Sequence, residues 1–133
     1  MKQAYLSISF QNRKNLQLEI TAIQKSLSAL NIQLFIFVDN YHFTKDQETE
    51  MMQQAFADID NSDLLIGEVS EKAIGVGIEI GYAVAAGKPV LYLRNELAEH
   101  STTAAGSAGH IIIYTTPEDL SKKLSVLLPQ IIG

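Results

Sequence analysis

Cysteine and tryptophan are both missing from this sequence of 133 residues, and proline occurs only three times. Without cysteine, the chain cannot form disulfides, thiolate nucleophiles or cysteine-based metal sites. There is no run of 18 apolar residues, so a membrane-spanning helix is not predicted. The first residues pass directly into an alternating apolar pattern, without the apolar stretch and cleavage site of a signal peptide. This pattern predicts a cytoplasmic protein.

Basic residues are also few. The sequence has ten Lys and Arg and fifteen Asp and Glu, which gives a net charge of −5. The basic residues are scattered along the chain. Neither nucleic acid nor an anionic membrane is therefore a predicted partner, and a small molecule is the expected ligand. His42, His100 and His110 lack the spacing of metal ligands, so we predict no metal site, and no cofactor is predicted.

The apolar pattern predicts five strands that alternate with four helices in a single domain over residues 1–133, 47% of which are hydrophobic. Such alternation is typical of an α/β fold with a doubly wound, flavodoxin-like or Rossmann-like parallel sheet, and the expected strand order is 2-1-3-4-5. We predict strands at 4–10, 32–38, 64–69, 90–93 and 111–114. Thr116 and Pro117 predict the cap and first position of the last helix, and Asn31 is placed to end the first.

In this strand order, ligands bind at the carboxyl edge of the sheet, between the first and third strands. The residues expected at that edge lie at the ends of the first and third strands or follow them, and they are Ser7, Ser9, Asn12, Glu68, Ser70, Gly75, Gly77 and Glu79. Two stretches outside the regular pattern are predicted to be functional loops. The polar and aromatic residues 39–46 suggest a lid, and residues 94–108 include Ser101 and Thr103 as candidate substrate contacts.

Gly75 and Gly77 form neither a dinucleotide fingerprint nor a P-loop, because the third glycine falls late and no Gly-Lys-Ser/Thr follows. They predict either a tight turn between strand and helix, or backbone N–H groups that bind phosphate or sugar oxygens. Glu79 is expected in the first helical turn after them. There the helix dipole would keep a carboxylate ionised, whether it faces a cavity as a nucleophile or solvent as a stabilising charge.

Two further residues have alternative readings. Glu68, near the end of a buried strand, is either a structural hydrogen-bond partner or a ligand contact. Tyr5 either packs in the core or directs its hydroxyl at a polar group in the crevice. From spacing alone, Glu79 is a stronger candidate for catalysis than Glu68.

Residues 62–93 resemble the core of the nucleoside 2-deoxyribosyltransferase family, whose superfamily includes deoxynucleoside 5′-monophosphate N-glycosidases. The resemblance rests on Ser62-Asp63 with the following apolar run, on the glycine and glutamate pattern of residues 75–81, and on Gly87-Lys88-Pro89. Tyr5, in a Tyr-x-x-x-Ser pattern, supports it. The resemblance implies that Glu79 is the nucleophile at the anomeric carbon of a nucleoside or nucleotide and that Tyr5 hydrogen-bonds it. It also implies a homodimer or larger homo-oligomer, in which a neighbouring loop completes each site.

The chain departs from the family pattern at three places. Ala55 stands where the family usually has an aspartate that helps to protonate the departing base. Ala73 replaces a serine of the phosphate-hydrolysing branch, and residues 8–13 lack that branch's glycines. Three functions therefore stay open: cleavage or transfer at an N-glycosidic bond, binding of a nucleoside or nucleotide without catalysis, and binding of another small ligand.

Overall fold

The computed structural model describes residues 1–132 and shows one five-stranded sheet in the order β2-β1-β3-β4-β5. All four neighbouring strand pairs are parallel, which confirms the predicted architecture and strand order. The strands are β1 (Lys2–Ser7), β2 (Ile32–Ile36), β3 (Leu64–Glu68), β4 (Val90–Asn95) and β5 (His110–Tyr114).

Four long helices and two short ones connect the strands. The helices are α1 (Gln17–Ser28), α2 (Phe37–Asn40), α3 (Glu48–Asp60), α4 (Ile74–Ala85), α5 (Thr102–Ser107) and α6 (Pro117–Ile131), and 3₁₀ turns lie at Arg13–Asn15 and Lys45–Gln47. No helix within residues 1–132 is both long and apolar enough to cross a membrane.

The helices cover both faces of the sheet. Helices α1 and α6 pack over one face, where Leu27 and Leu124 join the strand residues Leu6 and Leu64 in one apolar cluster. Helices α3 and α4 cover the other face, where a second cluster includes Tyr5. Strand β3 lies between these layers and all its residues are buried, which explains its nearly continuous apolar sequence.

Two predicted helix ends are present. The Thr116 hydroxyl accepts a hydrogen bond from the Asp119 backbone N–H at 3.0 Å, and Pro117 is the first residue of α6. Asn31 follows α1 in the left-handed region, with φ of 59°, a conformation that asparagine adopts more readily than most residues. Both helix ends were predicted from residue type because capping depends on local chemistry.

The prediction for the start of α4 was wrong. The helix begins at Ile74, after Ala73 in an extended conformation, so Gly75 and Gly77 lie inside its first turns instead of forming a turn before it. Neither glycine has positive φ. Glu79 consequently lies five residues after Ile74, in the second turn, away from the unpaired N–H groups of the helix start.

The predicted loops are also partly helical. Residues 37–40 form α2, which shortens β2. Within 94–108, residues Thr102–Ser107 form α5, and Ala104 on this helix is buried in the cluster under α4. The two adjacent alanines favour a helix, and burial of Ala104 stabilises it although the surrounding serines and threonines favour turns.

Candidate active site

The carboxylate of Glu79 is held by two hydroxyl groups from β1. Tyr5 Oη donates to Glu79 Oε2 at 2.5 Å, and Ser7 Oγ donates to Glu79 Oε1 at 2.5 Å. Tyr5 and Ser7 are two residues apart on one strand, so both side chains face α4. The predicted convergence of Tyr5 and Glu79 is confirmed, and each carboxylate oxygen has its own donor.

Burial decides the electrostatics of this site. Desolvation raises the pKa of Glu79, while the hydrogen bonds from Ser7 and Tyr5 lower it in part. Burial also raises the pKa of Tyr5, and the charge of Glu79 raises it further, so Tyr5 stays a neutral donor. The expectation that a helix start ionises Glu79 is thus corrected, because the two hydroxyl donors stabilise the carboxylate instead.

Glu79 lies in the wall of an open cleft of about 550 Å³, which we call the Glu79 cleft. One half of its lining, from α2, α3 and the segment between them, is mainly aromatic and apolar. The other half, from β1, the segments after β1 and β3 and the start of α4, carries the acidic residues and the lysine of the lining together with Leu6, Ile8, Phe10, Ala73 and Val76, and we call it the polar half. The aromatic half includes Phe37, Tyr41, His42, Phe43, Met51, Met52 and Ala55, and the polar half includes Ser9, Gln11, Glu71, Lys72 and Gly75.

The aromatic half contains a cluster of rings. The rings of Phe37 and Phe43 are nearly parallel with centroids 6.0 Å apart, and Tyr41 lies 4.9 Å from Phe37. Tyr5, which donates to Glu79, lies 6.4 Å from Phe37. Flat apolar walls of this kind accept a planar heterocycle by stacking. Tyr41 and Phe43 of this cluster lie in the stretch 39–46 that is predicted to be a lid.

The polar half contains two predicted residues, Ser9 and Gly75, and one that was missed, Glu71. Ser9 is buried, and its hydroxyl donates to Glu71 Oε1 at 2.5 Å. Glu71 was not singled out, although an acid three residues after β3 at the ligand-binding edge is a usable signal. Gly75 lines the same half, and its exposed backbone leaves room for a ligand.

Asp58 lies near the ring cluster but is absent from the cleft lining. Desolvation raises the pKa of Tyr41, and the nearby Asp58 carboxyl raises it further. Asp58 Oδ1 accepts from Gln54 at 3.0 Å, whereas its Oδ2 is buried without a hydrogen-bond partner. Ala55 itself lines the cleft, so the aromatic half has a methyl group at the position where the family usually has its aspartate.

Glu68 does not join this site. Strand alternation places it with Leu64 and Ile66, on the face under α1 and α6. Its carboxylate accepts hydrogen bonds from Tyr114 Oη at 2.5 Å, from the Ser70 N–H at 2.7 Å and from Ser70 Oγ at 2.9 Å. Burial raises the pKa of Glu68, opposed by these hydrogen bonds. Of its two readings, the structural one applies.

Three other candidates lie in an adjoining recess of about 340 Å³ between α4 and α5, which shares Glu71, Lys72, Ala73 and Val76 with the Glu79 cleft. Gly77, Ser101 and Thr103 line this recess and do not line the Glu79 cleft. Helix α5 packs on α4 through Ala104, which places the serine and threonine on the outer side of α4. Within one chain these residues are therefore not brought together with Glu79.

Comparison with known proteins shows the family to which the chain belongs. The sequence pattern that defines the family described as nucleoside 2-deoxyribosyltransferase matches residues 4–124. A protein of Thermofilum pendens assigned to the 2′-deoxynucleoside 5′-phosphate N-hydrolases is 32% identical over 85 residues. That alignment covers 60% of this chain and 59% of the relative, so the match spans about three fifths of the relative's length.

Solved structures share the fold at low sequence identity. The CMP N-glycosidase BcmB of Clostridium botulinum has a TM-score of 0.66 at 23% identity, over 94% of this chain and 99% of that one. A 2-deoxyribosyltransferase of Bacillus psychrosaccharolyticus has a TM-score of 0.70 at 19% identity, over 92% of this chain and 95% of that one. Both have the α/β architecture found in this chain.

Proposed function

Because the chain belongs to the nucleoside 2-deoxyribosyltransferase family, we propose that it cleaves or transfers the N-glycosidic bond of a nucleoside or nucleotide, with Glu79 as nucleophile and Tyr5 orienting it. The observation that carries the proposal is the Glu79 carboxylate, which lies in a cleft between an aromatic and a polar half. Two hydroxyl groups, each 2.5 Å from a different carboxylate oxygen, fix its position. Ser7 supplies the second hydroxyl and is a positioning residue in this proposal.

The chemistry follows from the charge that develops at the sugar. When the glycosidic bond breaks, its electron pair leaves with the base and the sugar acquires oxocarbenium character, which a carboxylate beside the anomeric carbon stabilises. A Glu79 oxygen then bonds to that carbon as a glycosyl-enzyme intermediate. Attack by water releases the sugar with hydrolysis, and attack by a second base completes a transfer. In both cases the attacking molecule loses a proton to solvent, the departed base gains one from solvent, and the carboxylate is restored.

The direct test is release of free base from a panel of nucleosides, deoxynucleosides and their 5′-monophosphates. We expect wild type to release base and Glu79→Gln to be slower by roughly 10³-fold or more, because the amide keeps the size of the side chain but not its charge. Glu118→Gln removes the same charge from the exposed first turn of α6, and it should match wild type. Equal turnover by wild type and Glu79→Gln would remove Glu79 from the mechanism.

A second candidate function is binding of a nucleoside or nucleotide without turnover. The observation that favours it is Ala55, which lines the aromatic half where a proton donor for the departing base is expected. Ala55→Asp should raise the rate if this missing acid limits catalysis. Tight binding with no base release by wild type or Ala55→Asp would favour the second function.

We also propose that the protein is a homodimer or larger homo-oligomer. Helix α4 exposes Ile74 and Ile78, which are 85% and 47% accessible, beside Gly77 and Gly81. A second copy on this apolar face would lie beside the recess of Ser101 and Thr103. Light scattering of wild type and Ile78→Lys tests the proposal, because a charge on a face that is buried in the oligomer should dissociate it.

A cytoplasmic location remains a prediction from the sequence, and cell fractionation tests it.

A further inference from the structure

We infer that Glu71, held by Ser9, makes the Glu79 cleft selective for unphosphorylated nucleosides over nucleoside 5′-monophosphates; this inference rests on the proposed function. The two halves of the cleft orient the substrate. A base that stacks in the aromatic half places the anomeric carbon beside Glu79. The remainder of the sugar, with its 5′ carbon, then lies in the polar half with Ser9 and Glu71.

The polar half already contains an anion that belongs to the protein. The Ser9 hydroxyl, which would otherwise be a free donor for a phosphate oxygen, donates to Glu71 Oε1 at 2.5 Å. Glu71 also lies three residues before the start of α4, where unpaired N–H groups and the helix dipole favour negative charge. The position most suited to a substrate phosphate is therefore next to a carboxylate.

Two of the three cations around this carboxylate are paired with other acids. Among the described residues that line the cleft, Glu71 and Glu79 are acidic, and the ammonium group of Lys72 is 3.0 Å from Glu99 Oε1. In the shallow recess beside the polar half, the Arg13 guanidinium is paired with Asp39. Lys14, the third cation, lines that recess but does not line the Glu79 cleft. A 5′-monophosphate carries a charge of about −1.5 to −2 at pH 7, so it is repelled, whereas a 5′-hydroxyl can donate a hydrogen bond to Glu71.

This selectivity would separate the chain from two of the proteins that it resembles. The relative from Thermofilum pendens is named for a 5′-phosphate substrate, and the enzyme from Clostridium botulinum is named for CMP. The difference agrees with the lack of glycine in residues 8–13 and with Ala73 in place of a serine. Ala73 lacks the hydroxyl donor of that serine, the side chains of residues 8–13 occupy space that glycines would leave open, and Glu71 adds an acceptor.

The test compares four proteins on matched pairs of substrates, such as thymidine and thymidine 5′-monophosphate, for each of the common bases. The proteins are wild type, Glu71→Gln, Glu71→Asp and the control Glu118→Gln. We expect wild type to prefer nucleosides in kcat/KM, and Glu71→Gln to shift the ratio toward monophosphates by about 10-fold, because Glu71 is exposed and its charge is partly screened. Glu71→Asp keeps the charge and should keep the wild-type preference, and Glu118→Gln should not change the ratio.

Salt and direct binding provide independent readouts. Raising NaCl from 0.05 M to 0.5 M should narrow the wild-type preference and leave that of Glu71→Gln nearly unchanged. Calorimetric titration with the same pairs measures the preference in binding, without turnover. If no base is released from any substrate, the proposed function is refuted, and the binding constants of nucleosides and monophosphates still test this inference. Binding of monophosphates by wild type as tight as that of nucleosides, or a ratio unmoved by Glu71→Gln, would overturn the inference.

Discussion

Replacing Tyr5 by phenylalanine removes one oxygen atom from the centre of the proposed site. The ring is fully buried and stacks on Phe35 with centroids 5.8 Å apart, so phenylalanine keeps the packing of the core. What is lost is the hydrogen bond of 2.5 Å to Glu79 Oε2. A hydrogen bond to an ionised group contributes about 1.5–3 kcal/mol, against about 0.5–1.5 kcal/mol for a neutral pair.

The pH dependence of this loss has a definite sign. Burial raises the folded-state pKa of Glu79 above its ordinary value of 4.5, so the free energy of unfolding falls as pH rises from 4.5 through the folded-state pKa. Tyr5→Phe removes a donor that lowers this pKa, so the fall should continue to higher pH. We therefore expect the variant to lose about 1.5–3 kcal/mol at pH 8 and less at pH 5, where Glu79 is more protonated.

Urea unfolding at pH 5 and pH 8 measures this difference, and the pH profile of kcat/KM provides a second readout. The acidic limb of the profile should move to higher pH in Tyr5→Phe, because ionised Glu79 is the reactive form. Ile59→Val is the control: it removes one methylene group from the same apolar cluster without touching a titratable group, so its destabilisation should be equal at both pH values. Equal losses for Tyr5→Phe at pH 5 and pH 8, with an unmoved acidic limb, would refute the reasoning.

Three further predictions concern glycines and the second buried carboxylate. Gly75→Ala and Gly77→Ala should each raise the free energy of unfolding by up to about 1 kcal/mol, since neither added methyl group meets an atom within 4 Å. Only Gly75→Ala should also raise KM, because Gly75 lines the Glu79 cleft and Gly77 does not. Gly67→Ala should destabilise by about 1–3 kcal/mol in thermal or urea unfolding, as its Cβ would lie 3.0 Å from Ile80 Cδ1. Burial raises the pKa of Glu68, so the free energy of unfolding should fall less steeply above pH 4.5 in Glu68→Gln than in wild type. An equally steep fall in both proteins would contradict this prediction.

The parts of the fold that could be predicted from sequence depend on local rules. Alternation and helical spacing predicted the five strands, and Thr116 with Pro117 predicted the start of α6. The meeting of Tyr5 and Glu79 was predictable as well, because parallel topology brings the end of β1 and the helix after β3 to the same edge of the sheet. Strand alternation also predicts that the side chain of Glu68 lies with that of Ile66, on the face of the sheet away from Glu79.

The sequence by itself determined the family, the strand order and the residue pair at the centre of the site, because these follow from periodicity along the chain and from a contiguous motif. Only the tertiary structure decided that α4 begins at Ile74, that Glu71 accepts a hydrogen bond from the Ser9 hydroxyl, and that burial raises the pKa of Glu79. Helix starts, hydrogen bonds between distant segments and desolvation all depend on which groups pack together and are thereby shielded from water. That shielding is a property of packing in three dimensions, which residue spacing does not encode.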